Sequence, residues 1–325
     1  MKDRRPPNPI KTSTREFIRE ARRARDYSLF DFLHGYVYAR WPYLYIGIGT
    51  GEHRIARTLS PVFNRIRGWT GIFQPRNGDK KPNPVSAPGF DEDRIAFADT
   101  YHGKVVPLAS ARKLVTVNED IDLPDLEKVI PYKRARDIIL HNPDHIAALE
   151  CPCRSSRERP CLPLDVCLIV GEPFTSFVVE HHPAKARVIS QAEAVEILEA
   201  ENRRGHVHHA FFKDAMLGRF YAICNCCSCC CGAMQAHRSG TPMLASSGYV
   251  SQVDPELCCG CSDCTQHCQF GAMSVVGSSA TVDQEICMGC GVCVELCPNE
   301  AVSLIRDSTR GEPLEIFDLM EKAAA

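Results

Sequence analysis

All nineteen cysteines of this 325-residue chain fall between Cys151 and Cys297, and many stand at metal-ligand spacing. Eight form two runs: Cys258, Cys261, Cys264 and Cys268, then Cys287, Cys290, Cys293 and Cys297, the second followed by Pro298. Each run reads C-x2-C-x2-C-x3-C, the spacing with which thiolates hold a [4Fe–4S] cluster. Two-residue spacers wrap a tight loop around one cube, so three sulfurs reach three irons and the fourth iron takes a thiolate from elsewhere. Zinc also binds C-x2-C pairs. A third cysteine at x2 and a fourth at x3, twice over, fit iron better.

Eleven cysteines remain. Cys151, Cys153, Cys161 and Cys167 form an upstream group, in which Cys151 and Cys153 flank Pro152 and face one side of an extended segment. Cys224, Cys226, Cys227, Cys229, Cys230 and Cys231 form a dense knot. Bare thiols at that density would be an oxidation hazard, so at least some must bind metal. These ten supply enough ligands for two further [4Fe–4S] clusters, giving four in all, with ligands exchanged between the groups. The other readings are one larger or unusual cluster, structural zinc at the upstream group, or a metal store. Cys259, the eleventh, reads as a small buried filler.

The two runs resemble the bacterial two-[4Fe–4S] ferredoxin family over about 55 residues, Val253 to Arg306. The resemblance implies a ββα repeat and crossed ligation. Cys258, Cys261, Cys264 and Cys297 would hold one cluster, and Cys287, Cys290, Cys293 and Cys268 the other. It also implies a low potential and redox partner proteins. Gly277-Ser278-Ser279 reads as the hairpin between the halves. Gly260, Gly289 and Gly291 are expected to let the backbone approach the cubes. Gln269 is a departure: the first run lacks the proline that follows the second. Residues 91–250 resemble long ferredoxin-like iron–sulfur proteins of anaerobic bacteria. That likeness is carried by Glu150-Cys151-Pro152-Cys153-Arg154, Cys161-Leu162-Pro163-Leu164-Asp165 and the knot.

Positioning these thiols requires a fold of mixed type, α+β. The expected parts are a basic helical N-terminal region with a loop (1–90), an α/β domain carrying the upstream cysteines (91–250), the two-cluster module (251–305) and a tail (306–325). Ser13 with Glu16 suggests a capping box before Phe17, Ile18, Ala21 and Ala24. Gln74–Gly89 is loop-like. Leu114–Val117 and Cys167–Val170 read as strands. Pro131–Leu140 reads as a helix, and Asn142-Pro143 as the start of another. Gln191–Arg204 is the clearest helix, capped by Ser190 with Glu193 and stopped by Gly205. Leu314–Lys322 suggests a docking helix.

The formal charge of −2 gives no global bias toward nucleic acid, and none is expected as a partner. No run is long and apolar enough to span a bilayer. Residues 1–25 are strongly basic, which suits a helix docked on its own protein or a peripheral contact with an anionic membrane. No export signal is read, so a reduced cytoplasmic location is expected. His181-His182 and His206, His208 and His209 are read chiefly as structural, with roles as ligands or cluster-tuning donors as the alternative. Arg203, Arg204 and Lys213 are read as solvated. Gly47-x-Gly49-x-Gly51 lacks the context of a dinucleotide fingerprint. The functional expectation is single-electron transfer by a multi-cluster protein. The alternative is a reductase whose special cluster sits at the knot and is fed by the module.

Overall fold

The computed structural model describes residues 10–53 and 97–324. Residues 1–9, the tract Gln74–Gly89 and the rest of 54–96 lie outside the described residues. Helices α1 (Thr12–Ala21), α2 (Leu29–Arg40) and α3 (Pro42–Gly49) precede β1 (Tyr101–Val106), α4 (Leu108–Val115), β2 (Ile121–Leu123) and β3 (Ile138–Leu149). Then come α5 (Pro152–Ser155), β4 (Cys167–Glu172), α6 (Phe174–His181), β5 (Ala186–Ile189), α7 (Gln191–Arg203), β6 (Val207–Lys213) and β7 (Arg219–Cys226). The chain continues through α8 (Gly232–Arg238), β8 (Leu244–Ala245), β9 (Tyr249–Val253), α9 (Asp263–His267), β10 (Met273–Val276) and β11 (Ser279–Val282). It ends with α10 (Val292–Glu295), β12 (Val302–Arg306) and α11 (Ile316–Ala324).

One sheet runs β2-β3-β4-β7-β6-β1-β8, with β5 also on β3. Its pairings are antiparallel except β1–β8. The arrangement is therefore α+β, and the α/β expectation for 91–250 is corrected: all but one of the sheet's pairings are antiparallel, where an α/β domain would carry parallel strands joined by helical crossovers. Strands β4, β7 and β6 are almost wholly buried and β3 is buried along its last four residues, as expected for a sheet covered on both faces. Helix α6 lies on β3, β4 and β5 with α1 and α2 behind it, while α7 lies on β3, β6 and β7.

Several local readings change. Leu114–Val117 is no strand, because Leu114 and Val115 complete α4 and bury its apolar side. Residues 138–149 form a strand instead of two helices: Ile138, Leu140 and Ile146–Leu149 supply buried sheet positions. Pro143 fits because the register shifts between His141 and Ile146, with Asn142 at φ 48°. Ser13 caps nothing. It sits inside α1, and its backbone N–H donates to the Glu180 carboxylate at 2.9 Å, docking the helix on α6. Ser190 does cap α7 by accepting from Glu193 N–H at 3.1 Å, while the Glu193 carboxylate pairs with Arg187 at 2.5 Å instead of closing the box.

In the C-terminal part, β9 pairs with β12 and β10 with β11 across the Gly277-Ser278 turn. Gly289 has φ +63°, and an added Cβ would stand 2.1 Å from the Tyr249 carbonyl oxygen. A Cβ on Gly260, at φ +68°, would stand 2.7 Å from the Ser278 carbonyl oxygen. Both glycines therefore let the chain approach itself closely. Helix α11 packs on α4 and β2 and returns the tail to the main sheet. Among the described residues no helix is long and apolar enough to cross a membrane.

Candidate metal centres

The sheet sets the first thiols. On β7, Cys224 and Cys226 are two residues apart and share one face. Cys224 lies opposite Cys167 of β4 on one side and His209 of β6 on the other. Cys151 immediately precedes α5 and Cys153 lies within its single turn, and Cys231 immediately precedes α8. Side-chain hydrogen bonding runs from Cys224 to Cys167, Cys151, Cys153, Cys231 and Cys226 in sequence. Cys224 and Cys226 also interact electrostatically, which closes a ring of six.

The six thiols line one cavity of about 70 Å³, walled on the other side by Tyr38, Tyr101, Tyr221, Phe174 and Phe211. The Tyr38 and Tyr221 hydroxyls meet at 2.8 Å. The hydrogen bond to Cys153 and burial push the Cys151 thiol up to about 12. Cys226 is also pushed up to about 12: burial and the charges of Cys224, Cys151 and Cys153 outweigh its hydrogen bond with Cys231. Thiolates form here only when a cation compensates their charge, as metal binding does. A ring of soft donors in a dry chamber fits an iron–sulfur group.

A buried polar network holds the ring in place. Arg154, next to Cys153 in α5, is 1% exposed. Its guanidinium donates to Glu201 at 2.5 Å, Pro163 O at 2.6 Å and Asn225 O at 3.0 Å. Asn225, between Cys224 and Cys226, donates to Val166 O at 2.7 Å, next to Cys167. One network thus touches the backbone beside four of the six thiols. Burial works against the Glu201 carboxylate, but hydrogen bonding to His206 and the Arg154 guanidinium hold it below its usual range.

The remaining upstream thiols gather separately. Cys161, Cys227, Cys229 and Cys230 lie mutually within 4.8 Å. The Cys161–Cys229, Cys161–Cys227 and Cys229–Cys230 sulfur separations are 3.2, 3.7 and 3.7 Å. Four side chains pin this loop. Arg157 donates to Cys230 O at 3.0 Å, Gln235 to Cys229 O at 2.9 Å and Arg238 to Ser228 O at 2.8 Å, while Gln269 accepts from Ser228 N–H at 2.8 Å. The structure therefore divides the ten thiols six and four, and both expected sequence groups are split. Cys161 joins the knot, and Cys224, Cys226 and Cys231 join Cys151, Cys153 and Cys167.

In the C-terminal part, Cys258, Cys261, Cys264 and Cys297 line one small cavity. Burial raises the Cys290 and Cys293 thiols, and the charges of Cys287 and Cys268 add to the rise at both, with Cys264 also acting at Cys293. Backbone N–H groups point at the sulfurs: Ala280 to Cys258 at 3.3 Å, Ala301 to Cys297 at 3.3 Å, Ala272 to Cys268 at 3.2 Å and Ser251 to Cys287 at 3.4 Å. Ser251 Oγ lies 3.1 Å from Cys293 Sγ. Such donors favour the anionic thiolate and fit cluster ligation. Cys259 is exposed, against the expectation of a buried filler.

Three of the histidines have structural partners: His181 Nε2 lies 2.9 Å from Thr14 Oγ1, His182 Nε2 2.8 Å from Ala39 O, and His208 Nδ1 2.6 Å from Asn225 Oδ1. His209 is fully buried, and burial pushes its ring down to about 3. Lys213 is not solvated as expected. It is buried, with its ammonium 5.0 Å from the Tyr38 and Tyr101 rings and 5.7 Å from Tyr45. The tyrosine wall and the Arg154 network carried no sequence signal. Gln269 did, as a departure from the family pattern. Its amide bridges Ser228 of the knot and Gly205 O at 2.9 Å, which a proline could not do.

The family described as 4Fe-4S binding domain matches residues 280–303. Comparison with curated proteins finds no match. The family match supports an iron–sulfur, ferredoxin-type module, and the cysteine sites support metal binding and iron–sulfur electron transfer.

Proposed function

We propose that this chain is a cytoplasmic multi-cluster electron carrier that takes single electrons from a reduced donor protein and passes them at low potential to an acceptor. Cys258, Cys261, Cys264 and Cys297 would hold one [4Fe–4S] cluster, and Cys287, Cys290, Cys293 and Cys268 a second. The ring of Cys151, Cys153, Cys167, Cys224, Cys226 and Cys231 would hold a further iron–sulfur group. When bound, such clusters change charge by one unit with little change of shape. The low potential rests on the ferredoxin resemblance.

The observation that carries the reading is the six-thiol ring buried in the same fold as the module. The chain's own residues supply what an electron path needs. The Tyr38, Tyr101 and Tyr221 wall and the sheet keep bulk water from the ring. Buried Arg154 offsets negative charge at Cys151 and Cys227. Gln269, next to Cys268, fixes the module against the loop that borders the ring. Six thiols exceed the four that one cube needs. That excess favours a second reading, in which the ring holds a special cluster that reduces a small substrate.

Reductive EPR of the anaerobically purified full chain separates these. The carrier reading expects spin signals beyond the module's two that do not respond to small molecules. Signals from the module alone would remove it, and a further signal that shifts on substrate addition would replace it with the reductase.

A further inference from the structure

We propose that Cys161, Cys227, Cys229 and Cys230 form a site for a single tetrahedral metal ion, Zn²⁺ or Fe²⁺, distinct from every cluster in the chain. The inference stands independently of the electron-carrier reading.

Its basis is sulfur spacing. A single ion with metal–sulfur bonds of about 2.3 Å places four thiolates about 3.8 Å apart. Three of the sulfur separations here are 3.2, 3.7 and 3.7 Å, and all four sulfurs lie within 4.8 Å of one another. A four-iron cube sits between its ligands and holds each sulfur beyond a corner, so its four thiolates stand much farther apart. The same structure provides the contrast. Among the described residues this is the one group of three or more metal-binding side chains so tightly gathered, and the module's thiols stand wider around their cavity. Sequence agrees, since adjacent Cys229 and Cys230 with sulfurs 3.7 Å apart suit one shared ion. A compact all-thiolate tetrahedron selects zinc or iron.

The surroundings form a built site. Arg157, Gln235 and Arg238 hold the carbonyls of Cys230, Cys229 and Ser228, and Gln269 holds the Ser228 N–H. Cys161 comes from the irregular segment between α5 and β4, so an ion here would tie that segment to the end of β7. Because Cys227 and Cys230 also line the six-thiol cavity, the ion would stand in its wall.

The test is metal and acid-labile sulfide analysis of the anaerobically purified full chain and its Cys229→Ser and Cys161→Ser variants. Each substitution is expected to remove about one ion per chain, as zinc or as iron without sulfide, and to leave labile sulfide unchanged. Loss of about four iron with four sulfide would make the site a cubane and overturn the proposal. No loss of metal would overturn it equally. If the variants fail to fold, the wild-type chain stripped of metal and titrated with Co²⁺ alone, without sulfide, provides the second reading. Tetrahedral cobalt–thiolate absorption is expected, and its absence contradicts the single-ion site. A cubane at this position would leave the carrier reading intact, so the two fail separately.

Discussion

The two cysteine-rich halves hold their thiols by different means. In the C-terminal module the sulfurs sit on short loops and two short helices, and several accept from nearby backbone N–H groups, among them those of Ala272, Ala280 and Ala301. Upstream, the thiols come from separate strands, turns and a helix start, and side chains distant in sequence keep them together. Arg154 reaches Glu201 and Asn225, 47 and 71 residues away. The lesson is that a local cluster motif can be read from spacing, whereas a site assembled across a sheet depends on which strands pair.

The strongest way to break this contrast is Arg154→Leu. It removes the buried guanidinium from Glu201, which keeps Arg204 and His206 as partners, and releases the backbone beside four ring thiols. Because those partners remain, the cost is below the ~3–5 kcal/mol of a buried charge left wholly unpaired. Loss of the upstream iron with retention of the module's cluster signals is expected, and iron analysis with EPR checks it. Equal loss from both halves would mean that they are not supported separately.

Gln269→Pro restores the residue the resemblance leads one to expect and removes two bonds between the halves. At about 1 kcal/mol for each neutral hydrogen bond, urea unfolding should show about 2 kcal/mol of destabilisation with cluster content unchanged. No change would show that the bridge carries nothing.

The sheet side has its own pH signature. Burial, with the nearby Arg306 charge, pushes the Lys104 ammonium down to about 7. Above that pH the folded chain sheds a proton that the unfolded chain keeps until about 10.4. Stability from this group therefore rises with pH across that window and is depressed below it. Lys104→Met should raise the thermal midpoint at pH 6.5 and lose most of that advantage by pH 9, a difference on the order of 1–2 kcal/mol. The comparison with wild type cancels the titration of the thiols.

The smallest effect is expected from Ser251→Ala. It removes the hydroxyl 3.1 Å from Cys293 Sγ, worth roughly 0.5–1.5 kcal/mol, and should lower the potential of one module cluster slightly. An unchanged redox titration would show that this hydroxyl does not tune that sulfur.

Much of the module was legible because its chemistry is local. The x2 and x3 spacings and the Gly277-Ser278 turn lie within a few residues of one another. The α7 cap at Ser190 and the stop at Gly205 were legible for the same reason. The upstream division of thiols was not. Sequence proximity grouped Cys161 with Cys151, Cys153 and Cys167, but β4 pairs with β7 and carries Cys167 beside Cys224. The strand over 138–149 was missed because Asn142-Pro143 mimics a helix start, and only the sheet register shows that a bulge accommodates it. The buried Lys213 was read as solvated because no local pattern announces a cage of three tyrosines drawn from α2, α3 and β1.

The central claim is that the buried upstream ring carries redox-active iron in addition to the module. A potentiometric EPR titration of the anaerobically purified full chain tests it most directly. The account predicts the module's two one-electron signals together with at least one more, which disappears in Arg154→Leu. Two signals only, with no further reducible centre in the wild-type chain, would contradict it.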